Sequence, residues 1–389
     1  MDHRGHIAWI PVALATTGCL ETYAPPEQGP VVPPAYDEVT IDPNAGFAPV
    51  ILLEGGTGIH VLYIAEALPD WGGPYPLAYA GCAAGCELAS HWKAAAFDSI
   101  MGSLPPAAVL AGSALHVVYP VTGRSGMALR YASCVAGCAM PANWRRTDLD
   151  SALEVRPTLA ADSSGTLHLI YTRTDSTARV LRYASCATSC TTASNWIGST
   201  IDTDLAVAAA VVPSIALGAN GDLHVAFTEA PWEFWTIGHL WYGTCASGCA
   251  SRSDWHFLPL DSGSPLSAPS VVVQADTGVL VAYSVGYSDA RIATCRSACG
   301  SAASWAADTL AGFGFAPRLA FGPTNTAYLV ATGPQVMGFA SCTGACDLGS
   351  DWNRSTLGSG VGPNIVVDLA GHPRVAFQGD FTLRMALFR

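Results

Sequence analysis

The chain has 389 residues, half of them hydrophobic and 12% charged, with a net charge of −12. Lys and Arg together number 18, too few to build the basic surface that nucleic-acid binding requires. The 39 glycines and 26 prolines suit many short strands joined by turns rather than a disordered chain.

The N-terminus reads MDHRGHIAWIPVALATTGCL. Arg4 precedes an apolar stretch too short to span a bilayer but of the right length for a signal peptide. Thr17 and Gly18 stand directly before Cys19, so the segment resembles a lipoprotein signal spanning residues 1–18, with Cys19 as the lipidated residue. Thr16 replaces the leucine usual three residues before the cysteine, and an ordinary secretory signal that removes Cys19 is the other reading. Residues 19–35 are proline-rich and form a semi-extended tether. The expected location is the outer membrane or cell surface, or alternatively the periplasm or the medium.

Residues 36–389 are repetitive. The skeleton C-x3-C-x5-W occurs six times. The copies are Cys82, Cys86 and Trp92; Cys134, Cys138 and Trp144; Cys186, Cys190 and Trp196; Cys245, Cys249 and Trp255; Cys295, Cys299 and Trp305; and Cys342, Cys346 and Trp352. The spacing inside each copy is fixed, while the copies recur at roughly 50 residues with variation, as structural modules with surface-loop insertions do. Two thiolates per module do not make a four-ligand zinc set, whereas local disulfides fit an exported protein. Each pair is therefore expected to be bridged within its own module. Each such bridge would add roughly 2 kcal/mol in the chain-entropy account.

Before each skeleton lie a proline, an apolar strand, a turn and a second strand, as in RPTLAADSSGTLHLIY (156–171) and VPSIALGANGDLHVAF (212–227). With an LRYASC-like third strand and a fourth after the tryptophan, the unit is four antiparallel strands, a–d, which is a β-propeller blade. Seven a–b hairpins accompany only six cysteine skeletons. The last runs into FTLRMALFR, with Phe388 at the first cysteine position. YDEVTID (36–42) has the form of a strand d, with Tyr36 in the tryptophan's place. The fold expected is therefore all-β: a seven-bladed propeller of four-stranded antiparallel blades, closed by the N-terminal strand. A six-bladed ring is the alternative.

The recurring tryptophans are expected to pack between blades, and Asp42, Asp98, Asp150, Asp202 and Asp261 to accept hydrogen bonds from turn backbone. His60, His116, His168 and His224 recur at one place in strand b. Being on separate blades they share no metal, and they are read as structural; no metal or other cofactor is expected.

The repeat resembles the PSxAxDxxGxxHVAY-type propeller repeats of bacterial secreted proteins and, more distantly, sialidase-type propellers. The Ser-x-Asp-x-Gly-x-Thr-Trp box of the latter is absent, the turns here reading DSSGTLH or GANGDLH. A sialidase-like site would imply three arginines around a carboxylate, a tyrosine with a glutamate partner and an acid. Only Arg318, with Arg156, stands where such a clamp would lie. Glu154 is a single candidate acid, so catalytic residues are left unassigned.

In a propeller the d–a and b–c loops open on one face, opposite the cysteines. The residue after each strand-a proline lies near the axis: Val50, Ala107, Thr158, Ser214, Ser270, Arg318 and Asn364. The b–c loops carry Trp71 and Tyr75, Arg124, Arg173 with Asp175 and Arg179, Trp232 with Phe234 and Trp235, and Tyr287 with Asp289. Three aromatics in four loop residues are not needed to build a turn. The expected function is non-catalytic binding of a glycan or surface protein by a monomer. The candidate ligand residues are Trp71, Tyr75, Arg124, Arg173, Trp232, Trp235, Tyr287 and Arg318, and a glycan-active enzyme is the alternative.

Overall fold

The structure is a computed structural model, and it describes residues 35–66, 73–102, 105–124, 126–175, 178–205, 209–231, 237–263, 266–274 and 278–389. The signal at 1–18, Cys19 and all of the tether but its last residue lie outside the described residues. The described residues form seven four-stranded antiparallel sheets. Six are continuous in sequence. In the seventh, Tyr36–Asp42 pairs with the C-terminal strand Thr382–Phe388, with Tyr36 opposite Phe388 and Asp42 opposite Leu383. Strand a of each blade contacts strand a of both its neighbours, and all seven such contacts are present, so the inner strands make a closed ring. The six-bladed alternative is thereby excluded.

The repeated sequence has a physical reason at each level. The strand-a prolines (Pro49, Pro106, Pro157, Pro213, Pro269, Pro317 and Pro363) all lie on or directly beside the inner edge strand. Alternate N–H groups of an edge strand have no ladder partner, so proline is tolerated there and closes the edge. The C-x3-C-x5-W spacing is set by a hydrogen bond. After the second cysteine the chain makes one turn of 3-10 helix, such as Ala89–His91 or Pro141–Asn143. The indole N–H of Trp92, Trp144, Trp196, Trp255 and Trp305 then donates to the carbonyl of Cys86, Cys138, Cys190, Cys249 and Cys299 respectively, at 2.8–3.0 Å.

All six cysteine pairs are bridged within their own blades, as expected. Cys82 joins Cys86, Cys134 joins Cys138 and Cys186 joins Cys190. Cys245 joins Cys249, Cys295 joins Cys299 and Cys342 joins Cys346. The paired Cα atoms stand 5.7–5.8 Å apart, an ordinary disulfide separation. These twelve residues staple the c–d turns. No described helix is long and apolar enough to cross a membrane.

Blades are joined by ring packing and by a polar lock. Trp144, Trp196, Trp255 and Trp305 each meet, edge-on or tilted, a strand-c tyrosine of the preceding blade: Tyr79, Tyr131, Tyr183 and Tyr242. At the seam of blades six and seven the tryptophan's place is filled by Phe388 and Tyr36, with Phe388 stacked on Phe339 at 4.7 Å. Of the aspartates ending strand d, Asp42 accepts from turn backbone, the Asn44 N–H at 2.9 Å, whereas Asp98, Asp150 and Asp261 accept from the next residue of their own strand, as Asp98 Oδ1 does from the Ser99 N–H at 2.8 Å. Their second oxygen has a further role: Tyr63, Tyr119, Tyr171 and Tyr283 donate to Asp42, Asp98, Asp150 and Asp261 of the preceding blade, at 2.5–2.8 Å. Burial, followed by the aspartate bond, pushes the hydroxyl pKa of Tyr63, Tyr119 and Tyr283 well above the ordinary tyrosine range.

Closure by Tyr36–Asp42 has a measurable consequence. A chain beginning at Pro43 loses the outer strand of blade seven, the Tyr63–Asp42 lock and one side of the Phe388 cluster. It should melt well below a chain beginning at Pro33 and should aggregate through the exposed strand edge. Equal melting temperatures for the two chains would contradict the closure.

Candidate functional site

The sheet order places the d–a and b–c connections on one face and the a–b and c–d turns, with all six disulfides, on the other. On the cysteine face a recess of about 370 Å³ lies where blade seven lacks a stapled c–d turn, lined by Thr57, Glu87, Asp368, Arg374 and Arg389 among others. Its two arginines are paired: Arg374 binds Asp368 at 2.7 Å and Arg389 binds Asp37 at 2.6 Å. The recurring histidines are structural. His60, His116, His168 and His224 bond through Nδ1 to the strand-c tyrosine beside them at 2.5–2.8 Å, holding the ring that packs on the next blade's tryptophan. Where that tyrosine is replaced by Ile292, Phe339 or Met385, the histidine is replaced too, by Leu280, Tyr328 and Arg374. No cluster of metal-ligating side chains occurs among the described residues.

On the opposite face the candidate residues divide. Trp71, Trp232 and Trp235, with Phe234, lie outside the described residues. Strand b of blade four runs to Pro231 and strand c begins at Gly238. Tyr75 begins a strand and packs against the core between blades one and two. Arg124 is exposed in a turn. Arg173 is engaged by Asp175 at 2.5 Å and Asp150 at 3.4 Å. Both oxygens of Glu154 are occupied, one by Arg156 at 2.5 Å and the other by the buried Arg179 at 2.9 Å, so the candidate acid is a strut tying strand a to strand c. Arg156 sits in blade three and Arg318 in blade six, three steps apart around the ring.

Tyr287 is 63% exposed at the b–c turn of blade five, as expected. Two exposed aromatics that the sequence reading did not single out join it in the next two blades. Phe315 opens strand a of blade six and is 39% exposed. It follows a loop fastened to the Tyr287 turn by the Gly314 N–H bond to the Ser288 carbonyl at 2.7 Å. Phe381 is 54% exposed at the tip of the b–c hairpin of blade seven. The two-residue turn there, Asp380-Phe381, has φ of 48° and 62°, a left-handed conformation that favours Asn or Gly and strains a phenylalanine. The turn is held rigid by Arg384, which binds Asp380 at 2.6 Å, and by Thr382, which donates to the Gly379 carbonyl at 2.6 Å. The exposed large hydrophobics of the cysteine face, such as Leu88, Val135, Met140 and Leu369, are aliphatic.

At the axis, three side chains stitch neighbouring blades. Asn364 Oδ1 accepts the Ile51 N–H at 3.3 Å, Ser214 Oγ the Val271 N–H at 3.1 Å and Ser270 Oγ the Leu319 N–H at 3.0 Å. Arg318 stands at the same place in blade six. Its one hydrogen bond is from Nη1 to the Pro317 carbonyl at 3.2 Å, and no carboxylate among the described residues lies within ion-pair distance of it. Burial alone lowers its pKa from the usual arginine value.

No protein-family model matches the chain, and no curated protein sequence does. Solved structures match in fold. A structure described as the polysaccharide lyase Uly1 is 10% identical, with 90% of each chain covered and a TM-score of 0.54. A Dyadobacter fermentans protein of unknown function is 11% identical over 92% of this chain and 100% of that one, with a TM-score of 0.54. Penicillium chrysogenum α-L-arabinanase, solved with arabinobiose, is 12% identical over 91% of this chain and 98% of that one, with a TM-score of 0.50. At these identities the likeness concerns the fold, a seven-bladed propeller with glycan-active proteins among its structural neighbours.

The His116–Tyr131 pair sets a pH limit. Burial lowers the His116 pKa to about 4, so the native state keeps this ring neutral while the unfolded chain protonates it near 6.5. Stability is complete above pH 6.5 and is lost as pH falls toward 4, because the unfolded state then binds the extra proton. His116→Gln should flatten the decline of melting temperature between pH 6.5 and 4. An unchanged slope would mean that His116 does not stay neutral.

Proposed function

We propose that the protein is a non-catalytic, saccharide-binding propeller whose ligand lies on the face opposite the disulfides, over blades five to seven. The observation that carries this reading is Phe381. A large apolar ring is kept in solvent at a backbone position that a smaller residue would occupy with less strain, and strain of this kind concentrates at functional sites. Tyr287 and Phe315 extend the apolar surface through the two preceding blades, and Tyr and Phe faces are suited to stacking on sugar rings. A saccharide is chosen over a protein partner because proteins named for action on glycans share the fold. Binding is chosen over hydrolysis because the acid near the axis, Glu154, has both oxygens held by arginines and the axial positions carry no carboxylate. Glycoside hydrolysis ordinarily needs a converging pair.

The rest of the reading concerns placement. The six disulfides fit an oxidising compartment outside the cytosol. Residues 1–18 act as the export signal, Cys19 carries a lipid, and residues 19–35 hold a monomeric propeller away from the membrane. The loops with Trp71, Trp232 and Trp235 serve the same face from blades one and four.

A saccharide array probed with the purified protein tests the proposal, followed by titration of the strongest hit against variants. Phe381→Gly removes a left-handed phenylalanine, whose strain is about 1–2 kcal/mol. It should raise stability in urea while weakening saccharide binding about tenfold, the loss typical of a truncated aromatic anchor. A less stable variant that binds normally would make Phe381 a structural residue. Release of reducing ends from a bound glycan would replace binding with catalysis.

A further inference from the structure

The stapled turn recurs in six blades on the cysteine face, and one position in it changes character around the ring. The residue that leads into the 3-10 turn is Thr192, Ser251 and Ser301 in blades three, four and five. In blades six, one and two it is Leu348, Leu88 and Met140, all half or more exposed. A polar side chain suits the start of a helical turn, so the local structure does not call for these aliphatics. Blade seven has no stapled turn, but Leu369 in its a–b turn is exposed on the same face. Val135 of blade two and Ile197 of blade three, also exposed, complete an arc through consecutive blades from six to three. Blades four and five show no exposed large hydrophobic on this face among the described residues. Single exposed apolar residues are ordinary, whereas a run that follows the repeat through neighbouring blades marks a surface that is covered in use.

Two further observations say what covers the arc. The first is the point at which the chain enters the fold. Strand d of every blade begins at the cysteine face, and Tyr36, which begins strand d of blade seven, stands there opposite Phe388. A propeller held through the residues before Tyr36 therefore turns this face, and not that of the exposed aromatics, toward its attachment. The second is charge. Lys93 and Arg145 directly follow the tryptophans of blades one and two, are exposed, and form no ion pair among the described residues. Residues 135–146 of blade two include two arginines and no acid. Aliphatic side chains beside unpaired cations suit the boundary of a phospholipid layer, where the apolar groups enter among the headgroups and the cations meet phosphate. A net charge of −12, with Glu54, Glu87 and Asp347 in the same set of turns, opposes a strongly anionic surface. We propose that the cysteine face, over blades six to three, rests on a bilayer of zwitterionic phospholipid and so turns the opposite face outward. This rests on the reading that residues 1–35 tie the propeller to a membrane, and it does not need the saccharide reading. The tether limits how far the body stands off, and the arc decides which face meets lipid when the body approaches. Six exposed aliphatics bind weakly alone, and attachment through a short segment raises the effective lipid concentration they experience.

The test couples the purified full chain, through the Cys19 thiol, to a maleimide-bearing lipid in phosphatidylcholine vesicles and maps side-chain exposure by hydroxyl-radical footprinting. The other twelve cysteines are bridged, which confines the coupling to Cys19. Relative to the chain coupled to a soluble maleimide, oxidation of Leu88, Met140, Leu348 and Leu369 should fall at least about threefold on vesicles. Tyr287 and Phe381 on the opposite face, and His256 on the cysteine face of blade four, should be oxidised as before. Leu88→Ser, Met140→Ser and Leu348→Ser together install the kind of residue that blades three to five carry. This variant should restore oxidation of Val135, Ile197 and Leu369 on vesicles at an unchanged melting temperature. Lys93→Glu with Arg145→Glu should restore it in part. The inference is overturned if the vesicles protect no part of the arc, if they protect both faces alike, if either variant stays as protected as wild type, or if the serine variant melts lower. It is overturned in favour of an interface between copies if the uncoupled chain sediments as a dimer that the serine variant dissolves. Because the coupling supplies the attachment chemically, a missing footprint overturns this inference and leaves the anchoring reading standing. That reading fails separately if the mature chain isolated from cells lacks Cys19.

Discussion

The seam between neighbouring blades is the constraint from which the rest follows. A four-stranded blade has two apolar faces, and neither can be covered except by the next blade. Each seam repeats the same parts: a strand-c side chain against the next blade's tryptophan or its substitute, and in four seams a strand-b tyrosine donating to the preceding blade's aspartate. A buried hydroxyl bonded to a carboxylate is among the stronger hydrogen bonds, of about 1.5–3 kcal/mol. Arginines reinforce the lock where they reach the same carboxylate, as Arg130 does with Asp98 and Arg291 with Asp261. Seven seams close only if the seventh blade is complete, which is why the strand Tyr36–Asp42 is taken from the other end of the domain.

This division of labour leaves the two faces unequal. On the cysteine face, disulfides, 3-10 turns and indole-to-carbonyl bonds fix the same short connection from blade to blade. On the other face no disulfide or 3-10 turn recurs among the described residues, and the connections differ in length and residue type. Rigid scaffolds usually place recognition on such loops. The exposed aromatics Tyr287, Phe315 and Phe381 fall there in consecutive blades.

What the sequence reveals tracks what it repeats. Blade number, ring closure and the packing role of the tryptophans were all legible, because each is written over and over and the exceptions, Phe388 and Tyr36, fall in register. Disulfide pairing was legible for the same reason: Cys138, Cys190, Cys249, Cys299 and Cys346 each stand four residues after their partner, as Cys86 does after Cys82. The spacing did not reveal that the carbonyl of the second cysteine also receives the indole N–H, as at Cys138 and Trp144, which is what fixes the distance to the tryptophan. The tyrosine–aspartate lock was half legible. The aspartates were noticed as turn acceptors, but the tyrosines ending strand b, 21 or 22 residues later, were not paired with them. The site was least legible because its parts occur once. Nothing in the word GDFT marks a phenylalanine as exposed until Asp380 and Phe381 are known to be the two left-handed residues of a tight turn. Arg173 and Glu154 read as available charges, yet their partners Asp150 and Arg179 lie up to 25 residues away and are brought in by the sheet. Arg318 was visible as an odd residue in a neutral ring. In the structure it has no carboxylate partner among the described residues.

Hydrogen–deuterium exchange of the protein with and without its strongest array saccharide locates the ligand most directly. Protection confined to residues 286–289, 313–316 and 379–382 is the predicted result. Protection on the cysteine-face turns instead, with these segments exchanging as in the free protein, would contradict the assignment of the ligand to the face over blades five to seven.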